Sequence, residues 1–118
     1  MAKIFECIGS RYNYAVITAS GAKTAGAFHA LGTGENGYIL NDIADTYDGL
    51  VVTGGRTKAK KNEALAISAG DALYYNSTNS NVDKTDTGVL VGRAEEDAAS
   101  ADTHVIMQWV SMAAFLKA

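Results

Sequence analysis

No proline occurs among the 118 residues, whereas glycine occurs 12 times. Every reversal of the chain must therefore be built from Gly, Asn, Asp or Ser chemistry. Glycine reaches the positive φ that tight turns require, and the short polar side chains bond their own backbone. Between these turn residues stand short apolar runs: Asn13 to Thr18, Gly37 to Leu40, Gly49 to Thr53, Ala64 to Ile67, Ala72 to Tyr75, Gly88 to Ala94 and Thr103 to Val110. Short runs so punctuated read as strands. The pattern predicts an all-β fold, a compact β-barrel or β-sandwich with short or no helices, spanning residues 1–118 as a single domain.

The last two runs constrain packing most. Val89 and Val91 alternate with Leu90, while Thr103, Val105, Met107 and Trp109 alternate with His104, Ile106, Gln108 and Val110. Apolar side chains thus stand on both faces, as in a strand inside a sandwich or barrel, or one lying between a core and a neighbouring subunit. From Asn76 to Thr87 the chain is polar with only Val82 to bury, which predicts a long solvated hairpin connection. Glu95 to Asp102 suits either a single helical turn or a plain loop. Ser111 to Ala118 places Met112, Phe115 and Leu116 at helical spacing, so a short C-terminal helical tail covering one end of the barrel is expected.

The apolar fraction is 47%, but much of it is Ala, so the core is adequate rather than large and partner subunits are expected to add burial. A net charge of −3 from scattered residues gives no electrostatic footprint for a nucleic-acid backbone. Cys7 stands alone, which rules out an internal disulfide framework and a thiolate zinc site. No run approaches 18 apolar residues and the first apolar stretch contains Glu6, so neither a membrane span nor a signal peptide is expected.

Catalytic and cofactor motifs do not assemble. Ser20 to Thr24 lacks the glycine spacing of a phosphate loop, and Gly32 to Gly37 matches G-x-G-x-x-G without a flanking strand and helix, which makes it a turn. His29 and His104 are the only histidines, and His104 among apolar neighbours reads as a structural residue. No nucleophile and base pair, metal or cofactor is predicted. Arg56, Lys58, Lys60 and Lys61 form a basic cluster and Glu95, Glu96 and Asp97 an acidic one. Both read as solvated loops, with a meeting of the two across a subunit boundary as the alternative.

Gly70 to Asp83 (GDALYYNSTNSNVD), Gly88 to Ala98 (GVLVGRAEEDA) and Asp102 to Val110 (DTHVIMQWV) together resemble a phage family of small capsid decoration, or cement, proteins, formerly catalogued as a domain of unknown function. Gly70, Asp71, Leu73, Tyr74, Gly88, Gly92, Ala94 and Val105 occupy the positions of its pattern. The resemblance covers the last 40 or so residues well and the first 60 loosely. It implies a non-enzymatic phage head protein that binds the outer capsid surface between major capsid protein subunits and stabilises the shell. It implies a homo-oligomer too, with a trimer favoured over a dimer, made in the host cytoplasm and located on the virion. The candidate interface or motif residues are Gly70, Asp71, Leu73, Tyr74, Tyr75, Gly92, Trp109 and Phe115, the aromatics because they offer large contact area at low entropy cost. The alternative is a small carbohydrate- or ligand-binding β module using Tyr74, Tyr75 and the Asn76 to Asn81 loop.

Overall fold

Two strands run far beyond the apolar runs that predict them. In the computed structural model, which describes residues 4–31, 36–62, 64–84 and 88–110, β1 spans Phe5–Thr18 and β4 spans Asp48–Lys60. The second half of β4 reads as charged, but its side chains alternate strictly. Arg56, Lys58 and Lys60 are exposed and Thr57 and Ala59 buried, which is the period of a half-buried strand. The other strands are β2 (Phe28–Ala30), β3 (Asn36–Ile39), β5 (Ala72–Asn76), β6 (Asn81–Asp83), β7 (Val89–Ala94) and β8 (His104–Trp109). All strand pairs are antiparallel and no helix occurs among the described residues, so the fold is all-β as expected.

β1 lies antiparallel along one edge of β4, from Phe5 opposite Ala59 to Thr18 opposite Asp48. On the other edge of β4, β3 meets Val51 and Val52, and β8 meets Gly55 to Lys60. The sheet continues from β8 through β7 and β5 to β6. It then curls back on itself, because Val82 of β6 bridges to Lys61 and its carbonyl accepts from Asn62 N at 3.0 Å.

This topology is an internal duplication. In the first repeat β1 pairs with β4, β2 with β3 and β3 with β4, and in the second β4 pairs with β8, β5 with β7 and β7 with β8. β4 is the last strand of one repeat and the first of the next. The hooks that join the strands repeat as well. Lys23 and Ile43 exchange two backbone bonds of 2.8 and 2.9 Å, and Ile67 and Ala98 exchange two of 2.8 Å. Each hook carries a four-residue turn, closed by Ala27 N on Thr24 O, Tyr47 N on Ala44 O, Asp71 N on Ser68 O and Asp102 N on Ala99 O. Asp42 Oδ1 accepts from Ala25 N and Asp97 Oδ1 from Ala69 N, both at 2.8 Å and at equivalent positions. The sequence bears the same mark, Ala22-Lys-Thr-Ala-Gly26 against Ala66-Ile-Ser-Ala-Gly70, with φ of +85° and +93° at the two glycines. A type II turn requires that conformation at its third residue.

The larger core gathers residues of both repeats, including Phe5, Tyr38, Val52, Leu73, Val82, Val91, Met107 and Trp109. A smaller one, Ala19, Ile39, Ile43 and Val51, lies under the first pair of hooks. Val51 and Val52 therefore face different cores, which is why the β4 run is apolar on both faces.

Several local expectations change. Ala64 to Ile67 is no strand but a hook, tied at one end by the amides of Ala64 and Leu65 to Asn62 and at the other by the Ile67 bridge to Ala98. Residues 95–102 adopt the hook rather than a helical turn, since Asp97 and Asp102 place their carboxylates on the amides of Ala69 and Ala99, and such bonds compete with helix. The polar stretch after Tyr75 contains β6, whose Val82 is fully buried. Residues 32–35 lie outside the described residues, and the elements on either side of them, β2 and β3, are antiparallel strands rather than the strand and helix that a dinucleotide loop connects. The expected C-terminal helical tail lies outside the described residues.

Gly92 faces Leu73 on one side and Trp109 on the other, and a Cβ there would run into the Gln108 carbonyl. Gly70 has open space around its Cβ position but a φ of +93°. Chemical denaturation should show Gly92→Ala losing about 3 kcal/mol, because backbone cannot yield, and Gly70→Ala about 1 kcal/mol, the cost of the left-handed conformation alone.

Candidate interaction surfaces

Of the residues singled out by sequence, Leu73 and Trp109 are core. Trp109 meets Phe5 edge-on at 4.8 Å and Tyr38 at 5.1 Å, and its Nε1 donates to Asn36 O at 2.9 Å. Tyr75 is half-buried and stacked on Phe28 at 4.6 Å with 5° between the planes. Tyr74 is half-buried on the outer face, opposite Asp83 and Leu90. Gly70 and Asp71 shape the third hook, where Asp71 Oδ2 accepts from Ser68 N at 2.9 Å and Gly70 N donates to Ala94 O. The structure thus brings Leu73, Tyr75, Gly92 and Trp109 together as the interior beneath a surface, and leaves Tyr74 on the surface itself. Phe115 lies outside the described residues.

Among the described residues, the most exposed large apolar side chains stand elsewhere. Tyr14 is 58%, Val16 63% and Tyr47 67% exposed. Tyr12 and Tyr14 lie side by side on β1, ring centroids 6.0 Å apart, with Tyr12 packed against the larger core. Alternation in the first run, Tyr12, Tyr14 and Val16 against Asn13, Ala15 and Ile17, carried that signal. The repeat sharpens its meaning. Ala15 pairs with Val51, which pairs with Ile39, just as Thr57 pairs with Met107, which pairs with Ala94. Ile39 and Ala94 each precede a bridging hook residue by four, so Tyr14, Val16 and Thr18 are the counterparts of Arg56, Lys58 and Lys60. The same outward row is apolar in one repeat and basic in the other.

The basic cluster is therefore not a solvated loop. Arg56 binds Glu95 through Nε at 2.7 Å and Glu96 through Nη2 at 3.0 Å within the same chain, so these opposite charges meet here without a subunit boundary. Lys58 and Lys60 project from the sheet. Lys61 points the other way and is buried, its Nζ donating to the carbonyls of Asp102 at 2.9 Å and Ser100 at 3.4 Å. Lys61→Ala should cost about 2–4 kcal/mol by stranding those carbonyls and opening a void. Lys60→Ala should leave the denaturation midpoint nearly unchanged.

His104 lies opposite Lys60 on β8 and bonds Thr103 Oγ1 through Nδ1 at 2.8 Å. Partial burial, then Lys58, hold its pKa below the ordinary 6.5 against an opposite pull from Glu6, with Lys60 adding a smaller lowering. Burial and Lys23 lower His29 in the same sense. A folded-state pKa below the unfolded one means that the unfolded chain binds protons first. This contribution to stability is complete above pH 6.5 and falls away with acidification through the lowered values. Melting temperature should drop between about pH 7.5 and about pH 5, and His104→Gln should flatten part of that drop.

Neither histidine forms a catalytic constellation with Cys7, which sits half-buried beside Tyr38. Burial raises the Tyr38 phenol well above its ordinary pKa, and the hydroxyl is shared with Thr57 Oγ1 at 2.9 Å. Asp42, Asp45, Asp71, Asp97 and Asp102 all accept from backbone amides, which is structural work. Among the described residues no three His, Cys, Asp or Glu side chains converge as a metal ion would need. The arrangement offers surfaces, with rigid strands presenting an apolar row, a basic row and isolated aromatics.

The model of a family described as phage cement protein matches residues 10–109 of the chain. No curated protein and no solved structure matches it.

Proposed function

The chain belongs to the phage cement protein family, and from that premise we propose that it binds the outer surface of the phage capsid between major capsid protein subunits and stabilises the shell without chemistry. The family match over residues 10–109 carries this reading, because it spans both repeats. A capsid-associated role follows from the family, and the fold supports a mechanical version of it. β4 runs through both repeats, so load applied to one is transmitted along a continuous hydrogen-bonded strand to the other. Assembly as a homo-oligomer, with three copies favoured, would multiply modest contacts over a symmetric lattice.

Lys58 and Lys60 are the side chains best placed to select a complementary acidic capsid surface. Both stand on the outer face of a central strand, so their spacing is preset. The sugar-binding alternative has no comparable support. Asn76 Oδ1 already accepts from Thr78 N at 2.9 Å and Asn79 N at 3.2 Å, and the Tyr75 ring is covered by Phe28.

Quantitative mass spectrometry of purified virions should find the protein in a fixed ratio near one per major capsid protein subunit, and absence from the particle defeats the proposal. Recombinant protein added to undecorated capsids should bind with a strong salt dependence. Lys58→Glu with Lys60→Glu should lower occupancy at least about tenfold while the melting temperature holds.

A further inference from the structure

Ala19, just past the end of β1, turns both main-chain groups toward the β4 side, its N–H on Tyr47 O and its C=O on Thr46 N, both at 2.9 Å. Such groups alternate along an antiparallel strand. Ile17 and Ala15 therefore also face β4, while Tyr14, Val16 and Thr18 present N–H and C=O to the opposite edge, where among the described residues no strand meets them. In the second repeat the equivalent edge, β4 at Thr57–Ala59, is covered by Phe5–Cys7 running antiparallel. Lys60, the counterpart of Thr18, donates its N–H to Ile4 O there at 2.8 Å. The scaffold thus accepts an antiparallel strand at this place.

The edge from Tyr12 to Thr18 contains neither charge nor proline, the two usual defences of an edge strand. It is also complementary to itself. Turned end for end about Ala15, a second copy sets the partner's Val16 against Tyr14 and the partner's Tyr14 against Val16, and these two pairs exchange four main-chain bonds around the opposed Ala15 residues. Aromatic against β-branched is a favourable cross-strand pair, and Tyr14 and Val16 are 58% and 63% exposed. The same operation about Thr57 in the second repeat would oppose Arg56 and Lys58, and like charges directly opposite repel. Of the two equivalent rows, the first alone suits its own copy.

We propose that Tyr12–Thr18 is a contact between two copies of this chain, joined antiparallel about a two-fold axis at Ala15 so that their sheets become continuous. A short ladder with two exposed side chains from each copy falls below the roughly 800 Å² per partner of a stable interface. Pairing in solution is therefore weak and concentration-dependent, and repetition over an array of copies strengthens it. A two-fold contact joins copies in pairs, so it adds to a three-copy assembly and does not build one.

The test is a cysteine trap on the isolated full chain, independent of any capsid, in a Cys7→Ser background. Residues opposed at such a two-fold lie about 4.5 Å apart between Cα atoms, within disulfide reach. Ala15→Cys should therefore link two chains on mild oxidation with glutathione disulfide. Asn13→Cys, which opposes the partner's Ile17 and stands about 13 Å from its own copy, should not. Adding Val16→Lys, the residue that the second repeat carries here, should cut the Ala15→Cys link at least about tenfold while the melting temperature holds. Equal linking at positions 13 and 15 overturns the proposal, and so do Ala15→Cys thiols that stay free, the result expected where a strand of another protein takes the edge. As a second measurement without added cysteines, the average mass in solution should rise with protein concentration, insensitive to salt, and Val16→Lys should abolish the rise. A rise that persists in Val16→Lys counts against the contact equally. Capsid docking through Lys58 and Lys60 is salt-sensitive, so its failure leaves these outcomes unchanged.

Discussion

Trp109 is the side chain on which the two halves of this protein meet. Its ring touches Phe5 and Tyr38 from the first repeat, and Phe28 at 6.4 Å extends the cluster to Tyr75 of the second. Its indole N–H ends on the carbonyl of Asn36, so the one polar atom of a fully buried ring is satisfied by the first repeat's backbone. Gly92 must be glycine for Trp109 and Met107 to lie so close to β7. Without that aromatic junction each repeat would be a four-stranded sheet with an open face, and neither has enough large side chains to close it alone.

The second constraint is the shared strand. Because β4 ends one repeat and begins the next, the repeats cannot move independently without breaking a continuous ladder. At Gly54 and Gly55 the strand changes character, with φ of +129° at Gly55 and a bulge in the facing β1. Bulges bend and twist a strand locally. The bend lets Val51 and Val52 serve two different cores while Thr57 and Ala59 serve one.

For a cement protein the division of labour is physical. Carboxylates and amides of the hooks are engaged with each other, and Tyr75 and Trp109 of the C-terminal half are engaged with the core. What remains outside is a pair of equivalent rows, one apolar and one basic. The two repeats share one scaffold, and they differ at the outward positions, which are free of packing constraints. At the equivalent inward positions both repeats carry small or apolar residues, as in the pairs Ala15 and Thr57, or Ile17 and Ala59.

The all-β class, the turn chemistry and the two-faced strands at Gly88 to Ala94 and Thr103 to Val110 were legible from the residues, because period-2 alternation and glycine placement act locally. The family was legible too, through the glycines and small residues of the C-terminal half. Burial was not. Leu73, Tyr74 and Tyr75 are consecutive and look alike as interface candidates, yet the pleat sends Leu73 and Tyr75 toward the core and Tyr74 out. Lys58, Lys60 and Lys61 read as one cluster, but one step of a strand turns Lys61 inward to two carbonyls. Sequence alone determined most of the extended segments and the residue types that turn them, though not β2, β6, the charged half of β4 or the hook at Ala64 to Ile67. Only the tertiary structure decided which face was inside, because that depends on register with a strand dozens of residues away.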